Sequence, residues 1–119
     1  LDIAAQADDL AALASASSRP PTILSYHNYD QTPEHSELLA LIDRMTALRA
    51  DIYKLSCLCN APSDALRLLG VQQELAARGV RHLVLGMGRH GMVTRIFGTL
   101  WGNEFIFAPR ERAAHRPIW

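Results

Sequence analysis

The 119 residues are 49% hydrophobic and carry twelve basic and twelve acidic side chains, for a formal net charge of zero, which is the make-up of one soluble globular domain around a single core. That balance argues against a surface built to hold DNA, RNA or an anionic membrane, because those partners are bound chiefly through surplus positive charge. No apolar run is long enough to cross a bilayer and no charged-then-apolar leader opens the sequence, so the expected setting is cytoplasmic.

The sequence starts at Leu1 rather than methionine and enters Leu1-Asp2-Ile3 as though within an element, so a fragment or processed product is expected. Ile3 to Ser15 is alanine-rich and predicts a helix, and Ala16 to Pro21 is a polar, proline-containing loop. Thr22 to His27 then reads as a strand. Thr32 and Pro33 form an N-cap and first-turn pair, after which Leu38, Leu41, Ile42, Met45 and Leu48 recur at helical spacing.

A second strand is predicted over Asp51 to Leu58. Ser63 and Asp64 open the next helix, whose Ala65, Leu66, Leu69 and Leu75 form its apolar stripe, with Gly70 a mild liability inside it and Gly79 suited to the left-handed position that ends it. A third strand spans His82 to Met87, a third helix runs from about Gly91 to Trp101 with Gly102 and Asn103 as its exit, and Glu104 to Ala108 is a fourth strand. Strand and helix alternate throughout, which calls for parallel pairing with helices packed on the sheet, an α/β fold. Four such strands fit an open sheet or an arc of a barrel.

Two cysteines, Cys57 and Cys59, lie two apart in the sequence, as they would on one side of extended backbone. They would point the same way, where they can neither form an ordinary disulfide nor complete a zinc site, and are read as buried reduced thiols.

Lys54 is the only lysine; every other cationic side chain is an arginine. Alternation along its strand groups it with Ile52, Ser56 and Leu58, so the amine projects among apolar neighbours. Desolvation lowers an amine's pKa and leaves more of it nucleophilic, which is what imine formation with a ketone requires. Equally, a strand lysine can pack its stem on the sheet and send its ammonium to solvent.

His27 ends the preceding strand on the face shared by Ile23 and Ser25, at the end where parallel α/β folds carry their sites, and is a candidate base. Gly86-Met87-Gly88-Arg89-His90-Gly91 satisfies G-x-G-x-x-G between a strand and a helix. That pattern fits a dinucleotide-binding turn or a tight turn offering backbone N–H groups to a small anion. Arg95, one turn into the helix, is suited to a carboxylate.

Taken together these motifs resemble type I 3-dehydroquinate dehydratases over nearly the whole chain. Thr22-Ile23-Leu24-Ser25-Tyr26-His27 with Thr32-Pro33 resembles the family's strand with its catalytic histidine. Ala50-Asp51-Ile52-Tyr53-Lys54 resembles the segment bearing the Schiff-base lysine. Gly86-Met87-Gly88 through Gly91, then Val93-Thr94-Arg95, resembles its methionine-containing strand end and carboxylate-binding arginine, and Phe107 resembles a pocket-lining residue.

The resemblance implies the second half of a (β/α)₈ barrel that dehydrates 3-dehydroquinate to 3-dehydroshikimate in the shikimate or quinate pathway, without metal or nucleotide. Lys54 and His27 would be catalytic; Arg95, Met87 and Phe107 would bind substrate. Asn28 stands where the family usually has aspartate and Tyr53 where it often has proline. The segment after Phe107 reads Ala113-Ala114-His115-Arg116-Pro117 instead of the Ser-Ala-Pro-Gly-Gln lid.

The early strands that in the family bring an arginine and acidic residues to the substrate, and orient the histidine, are absent from the sequence. The chain is therefore expected to be a single incomplete domain that pairs with its missing N-terminal half or with another copy. A rival reading is a non-catalytic metabolite-sensing domain, as in fungal quinate-pathway repressors that carry domains similar to this enzyme family.

Overall fold

Strands β1 (Ile23–Asn28), β2 (Ile52–Leu58) and β3 (His82–Met87) lie side by side in the order β1-β2-β3, both pairs parallel, in a computed structural model that describes residues 2–3 and 20–105. Helices α1 (His35–Thr46), α2 (Pro62–Ala77) and α3 (Met92–Leu100) follow the three strands in turn, the last behind a 3₁₀ turn over Arg89–Gly91. The expected α/β alternation is present, with strands within one residue of the boundaries the sequence implied. Among the described residues no helix is long and apolar enough to cross a membrane.

Register divides the sheet into two faces. Leu24, Leu55, Cys57 and Val84 lie on one and pack in the main core with Leu38, Leu41, Ile42 and Met45 of α1 and Ala65, Leu68, Val71 and Leu75 of α2. The other face, away from that core, carries Ser25 beside Lys54 beside Leu83, then His27 beside Ser56 beside Leu85, then Leu58 beside Met87.

Several details correct the sequence reading. Helix α1 begins at His35, after an extended Glu34, so Thr32 and Pro33 are not its cap and first turn. The Thr32 hydroxyl instead donates to the Leu58 carbonyl at 2.8 Å, tying the loop after β1 to the end of β2. Thr32 is buried, and this carbonyl satisfies its hydroxyl there. Helix α2 begins at Pro62, and Asp64 serves it from inside by accepting the Asn60 and Ala61 N–H groups at 2.8 and 3.3 Å.

Leu66 is exposed rather than part of the α2 stripe; Leu68, Val71 and Gln72 take the buried positions. Gly79 has φ +71°, as its helix-ending role requires. Asp2 forms a parallel bridge to Ser25, with the Ile3 N–H donating to the Ser25 carbonyl at 2.7 Å, so the entry is a strand-like track beside β1. The remainder of the expected first helix lies outside the described residues. Glu104 and Phe105 are irregular, and 106–108 of the expected fourth strand also lie outside them.

Residues 82, 84 and 86 turn their backbone groups to the outer edge of β3, and side-chain and backbone groups from α3 and its exit meet them. The Val84 N–H donates to Asn103 Oδ1 at 2.9 Å and its carbonyl accepts from Asn103 Nδ2 at 3.0 Å. The Gly86 N–H donates to Thr94 Oγ1 at 2.8 Å, and the His82 carbonyl accepts the Glu104 N–H at 3.0 Å. Asn103 thereby does for Val84 what a neighbouring strand would do.

Candidate active site

Lys54 is carried in mid-strand, and its Cα partners are Ser25 and Leu83. His27 stands one alternation beyond Ser25, so amine and imidazole project from the same face of adjacent strands, toward their C-terminal ends. Burial holds the Lys54 amine below lysine's ordinary 10.5, and the nearby Arg95 guanidinium pushes it further down, while the Asp2 carboxylate acts the other way. A lysine wholly in bulk solvent would feel none of these.

His27 Nδ1 lies 2.7 Å from Asp2 Oδ2. An ionised carboxylate can only accept, so Nδ1 carries the proton and Nε2 is left as the basic nitrogen. Tyr29 stacks on the imidazole, with ring centroids 5.8 Å apart and planes at 6°. Asp2 is a functional candidate that the residue pattern does not single out: it precedes the expected Ile3 to Ser15 helix, and the strands bearing acidic residues are expected to be absent from the sequence. The available signal was an acidic residue between two apolar ones just before an alternating β/α series.

Arg95 lies four residues into α3 and is partly buried, which lowers its pKa. What sets it there is the glycine segment. Gly86 and Gly91 are in direct backbone contact: a Cβ built on Gly91 would lie 2.3 Å from the Gly86 carbonyl carbon, and one on Gly86 would lie 2.7 Å from the Gly91 Cα. Gly88, at φ +81°, makes the reversal between them. Thr94 seals the contact by donating to the Gly91 carbonyl at 2.6 Å while accepting the Gly86 N–H. The glycines of the G-x-G-x-x-G pattern are thus accounted for by the close seating of α3 on the end of β3.

Met87 is buried at the end of β3 opposite Leu58, on the face that carries Lys54 and His27. Phe107 lies outside the described residues. Asn28 Oδ1 accepts the Asp30 and Gln31 N–H groups, each at 3.0 Å, so the amide retains an acceptor role at a position where the resembled family usually has a carboxylate. The Tyr53 hydroxyl, on the opposite face, accepts the Ala50 N–H at 3.0 Å. Cys57 and Cys59 are free, buried thiols; burial, reinforced by Cys59, pushes Cys57 up to about 12. Among the described residues no group of three or more His, Cys, Asp or Glu side chains is arranged to hold a metal.

A parallel β/α sector with amine, imidazole and guanidinium gathered toward one end of its sheet defines an arc of a (β/α)₈ barrel with its polar site in the usual position. The family model for type I 3-dehydroquinase matches residues 1–117, and the chain belongs to that family. It is 30% identical over 102 residues to a 3-dehydroquinate dehydratase of Methanococcus maripaludis, an alignment covering 86% of this chain and 45% of that protein.

Among solved structures, the 3-dehydroquinate dehydratase of Geobacillus kaustophilus superposes with a TM-score of 0.71 at 30% identity, over 77% of this chain and 36% of that one. The type I enzyme of Clostridium difficile, solved with covalent modified comenic acid, superposes at 0.68 with 26% identity, over 73% and 35%. The chain therefore spans less than half the length of the relatives it matches.

Proposed function

We propose that this chain is the lysine- and histidine-bearing part of a type I 3-dehydroquinate dehydratase, acting in the cytoplasm on 3-dehydroquinate once the rest of the barrel completes the site. The observation that carries the reading is the pairing of a partly desolvated Lys54 with a carboxylate-held His27 on one face of the sheet. Its buried thiols, both free, suit a reducing compartment.

In this reading the neutral Lys54 amine attacks the ring ketone, and loss of water gives an iminium whose nitrogen can accept electrons from the adjacent C–H bond. His27 Nε2 takes that proton, generating the enamine, and returns a proton to the hydroxyl that leaves as water. Hydrolysis of the remaining imine frees Lys54 and the enone product. Asp2 fixes the imidazole tautomer and offsets the positive charge that His27 gains. Arg95 holds the substrate carboxylate, with Met87 and Phe107 as apolar walls. Pairing with the N-terminal half of the barrel supplies the remaining contacts.

Incubation with 3-dehydroquinate followed by borohydride reduction tests this. A stable adduct on Lys54 by mass spectrometry, with formation of 3-dehydroshikimate by the completed barrel, is the expected result. Binding without adduct or turnover would replace it with a metabolite-sensing domain.

A further inference from the structure

Tyr29 is a large aromatic side chain left 68% exposed, so burial does little to decide where its ring lies. The ring is nevertheless set nearly parallel to the His27 imidazole, with planes at 6° and centroids 5.8 Å apart. The backbone puts it there. Asn28 Oδ1 accepts the Asp30 and Gln31 N–H groups, each at 3.0 Å, and this Asx turn folds the chain back at the end of β1, bringing the ring of residue 29 against that of residue 27. The Asn28 amide is held from its other end by donating to the Tyr26 hydroxyl at 3.1 Å.

The turn is fixed from the neighbouring β/α unit as well. Asn60 Nδ2 donates to the Asp30 carbonyl at 3.0 Å, and the Thr32 hydroxyl donates to the Leu58 carbonyl at 2.8 Å. Arg67 Nη1 donates to the Thr32 and Pro33 carbonyls at 3.0 and 3.3 Å, and to Asp64 Oδ1 at 3.2 Å. These bonds bind the segment from Asp30 to Pro33 to the end of β2 and the start of α2. The conformational freedom that Tyr29 must give up is therefore already lost in forming the fold.

The contact with Asp2 engages a single ring atom of His27. The second torsion of a histidine is broad, and one hydrogen bond at Nδ1 tolerates a range of ring tilts. A flat ring lying against the imidazole face narrows that range. An aromatic face within about 6 Å also attracts a cation, so the same stack favours the imidazolium that forms when His27 takes a proton.

We propose that Tyr29 is a positioning residue for His27, its ring fixing the imidazole plane so that Nε2 is aimed at the substrate C–H bond. Asp2 then sets the tautomer and Tyr29 the tilt. The role rests on the dehydratase reading of the site given above.

In the completed barrel, Tyr29→Ala should lower kcat roughly 10- to 100-fold, the cost of a reacting group misplaced rather than removed, with KM little changed. Tyr29→Phe, which keeps the ring, should recover most of that loss, whereas Tyr29→Leu, apolar but not flat, should not. Proton NMR of the wild type should show a nuclear Overhauser contact between the Tyr29 and His27 rings, the imidazole signals being identified by their loss in His27→Gln. A missing ring contact, an undiminished kcat in Tyr29→Ala, a loss confined to KM, or full recovery by leucine would overturn the proposal. Failure of the dehydratase reading shows separately, as a wild-type barrel with neither a Lys54 adduct nor turnover while the ring contact is intact, and the role assigned to Tyr29 then falls with it.

Discussion

His27 and Asp2 are joined by a 2.7 Å contact between Nδ1 and a carboxylate oxygen across 25 residues of sequence, because Asp2 bridges the outer edge of β1 at Ser25. The imidazole is therefore oriented from within this chain. In the completed barrel, His27→Ala should lower turnover by roughly 10²–10⁴-fold, the usual contribution of a positioned base. Borohydride trapping on Lys54 should survive, since imine formation requires the amine first. Asp2→Ala should reduce turnover less than His27→Ala. A His27→Ala variant with undiminished turnover would remove the histidine from the mechanism.

The pH dependence of adduct formation follows from the neighbours of Lys54. Only the neutral amine attacks a ketone, so the adduct yield should rise with pH through a midpoint below 10.5. Arg95 holds the amine's pKa down and Asp2 holds it up, so Arg95→Met should move the midpoint upward and Asp2→Asn should move it downward. Shifts in the opposite directions, read by mass spectrometry across a pH series, would contradict the geometry.

The same lowering has a sign for stability. The charged amine is disfavoured in the folded state, so the penalty is fully present below the folded pKa and is relieved as pH rises from there to 10.5. Lys54→Met should remove this rise, so its thermal midpoint should change less with pH over that window than that of the wild type.

Two glycines should respond oppositely to one methyl group. Gly91→Ala forces atoms into the Gly86 backbone and should cost about 2–3 kcal/mol or more in urea unfolding. Gly70, inside α2 with nothing within 4 Å of its would-be Cβ, should gain about 0.5–1 kcal/mol on replacement by alanine.

Asn103→Ala strips both partners from the buried Val84 backbone and should cost about 2–4 kcal/mol. Asn103→Asp keeps the acceptor for the Val84 N–H but sets a second oxygen against its carbonyl. Its deficit should shrink as pH falls, because the protonated acid can donate where the amide did. A pH-independent deficit, measured by chemical unfolding, would count against that account.

Much of this architecture was legible because it depends on local rules. The β-branched and apolar runs around Leu24, Leu55 and Val84 marked the strands, and alternation grouped Lys54 with Ser56 and His27 with Ser25, while the register that puts the two groups on one face is seen only in the sheet pairing. The errors came from residues whose partners are distant in sequence. Thr32 looked like a helix cap because nothing local reveals the Leu58 carbonyl 26 residues on. Leu66 looked like core because composition does not fix which side of α2 meets the sheet. Asp2 drew no functional reading because its two defining contacts, to Ser25 and His27, both cross more than twenty residues. Asn103 was read only as part of a helix exit, and its bonds to Val84 span 19 positions.

The Asn103 amide also sets how a polypeptide could extend the sheet past β3. Any incoming segment that pairs with Val84 must first displace a side chain already making both bonds. Growth at that position is then an exchange of partners, in which the amide gives up both Val84 bonds to the incoming backbone.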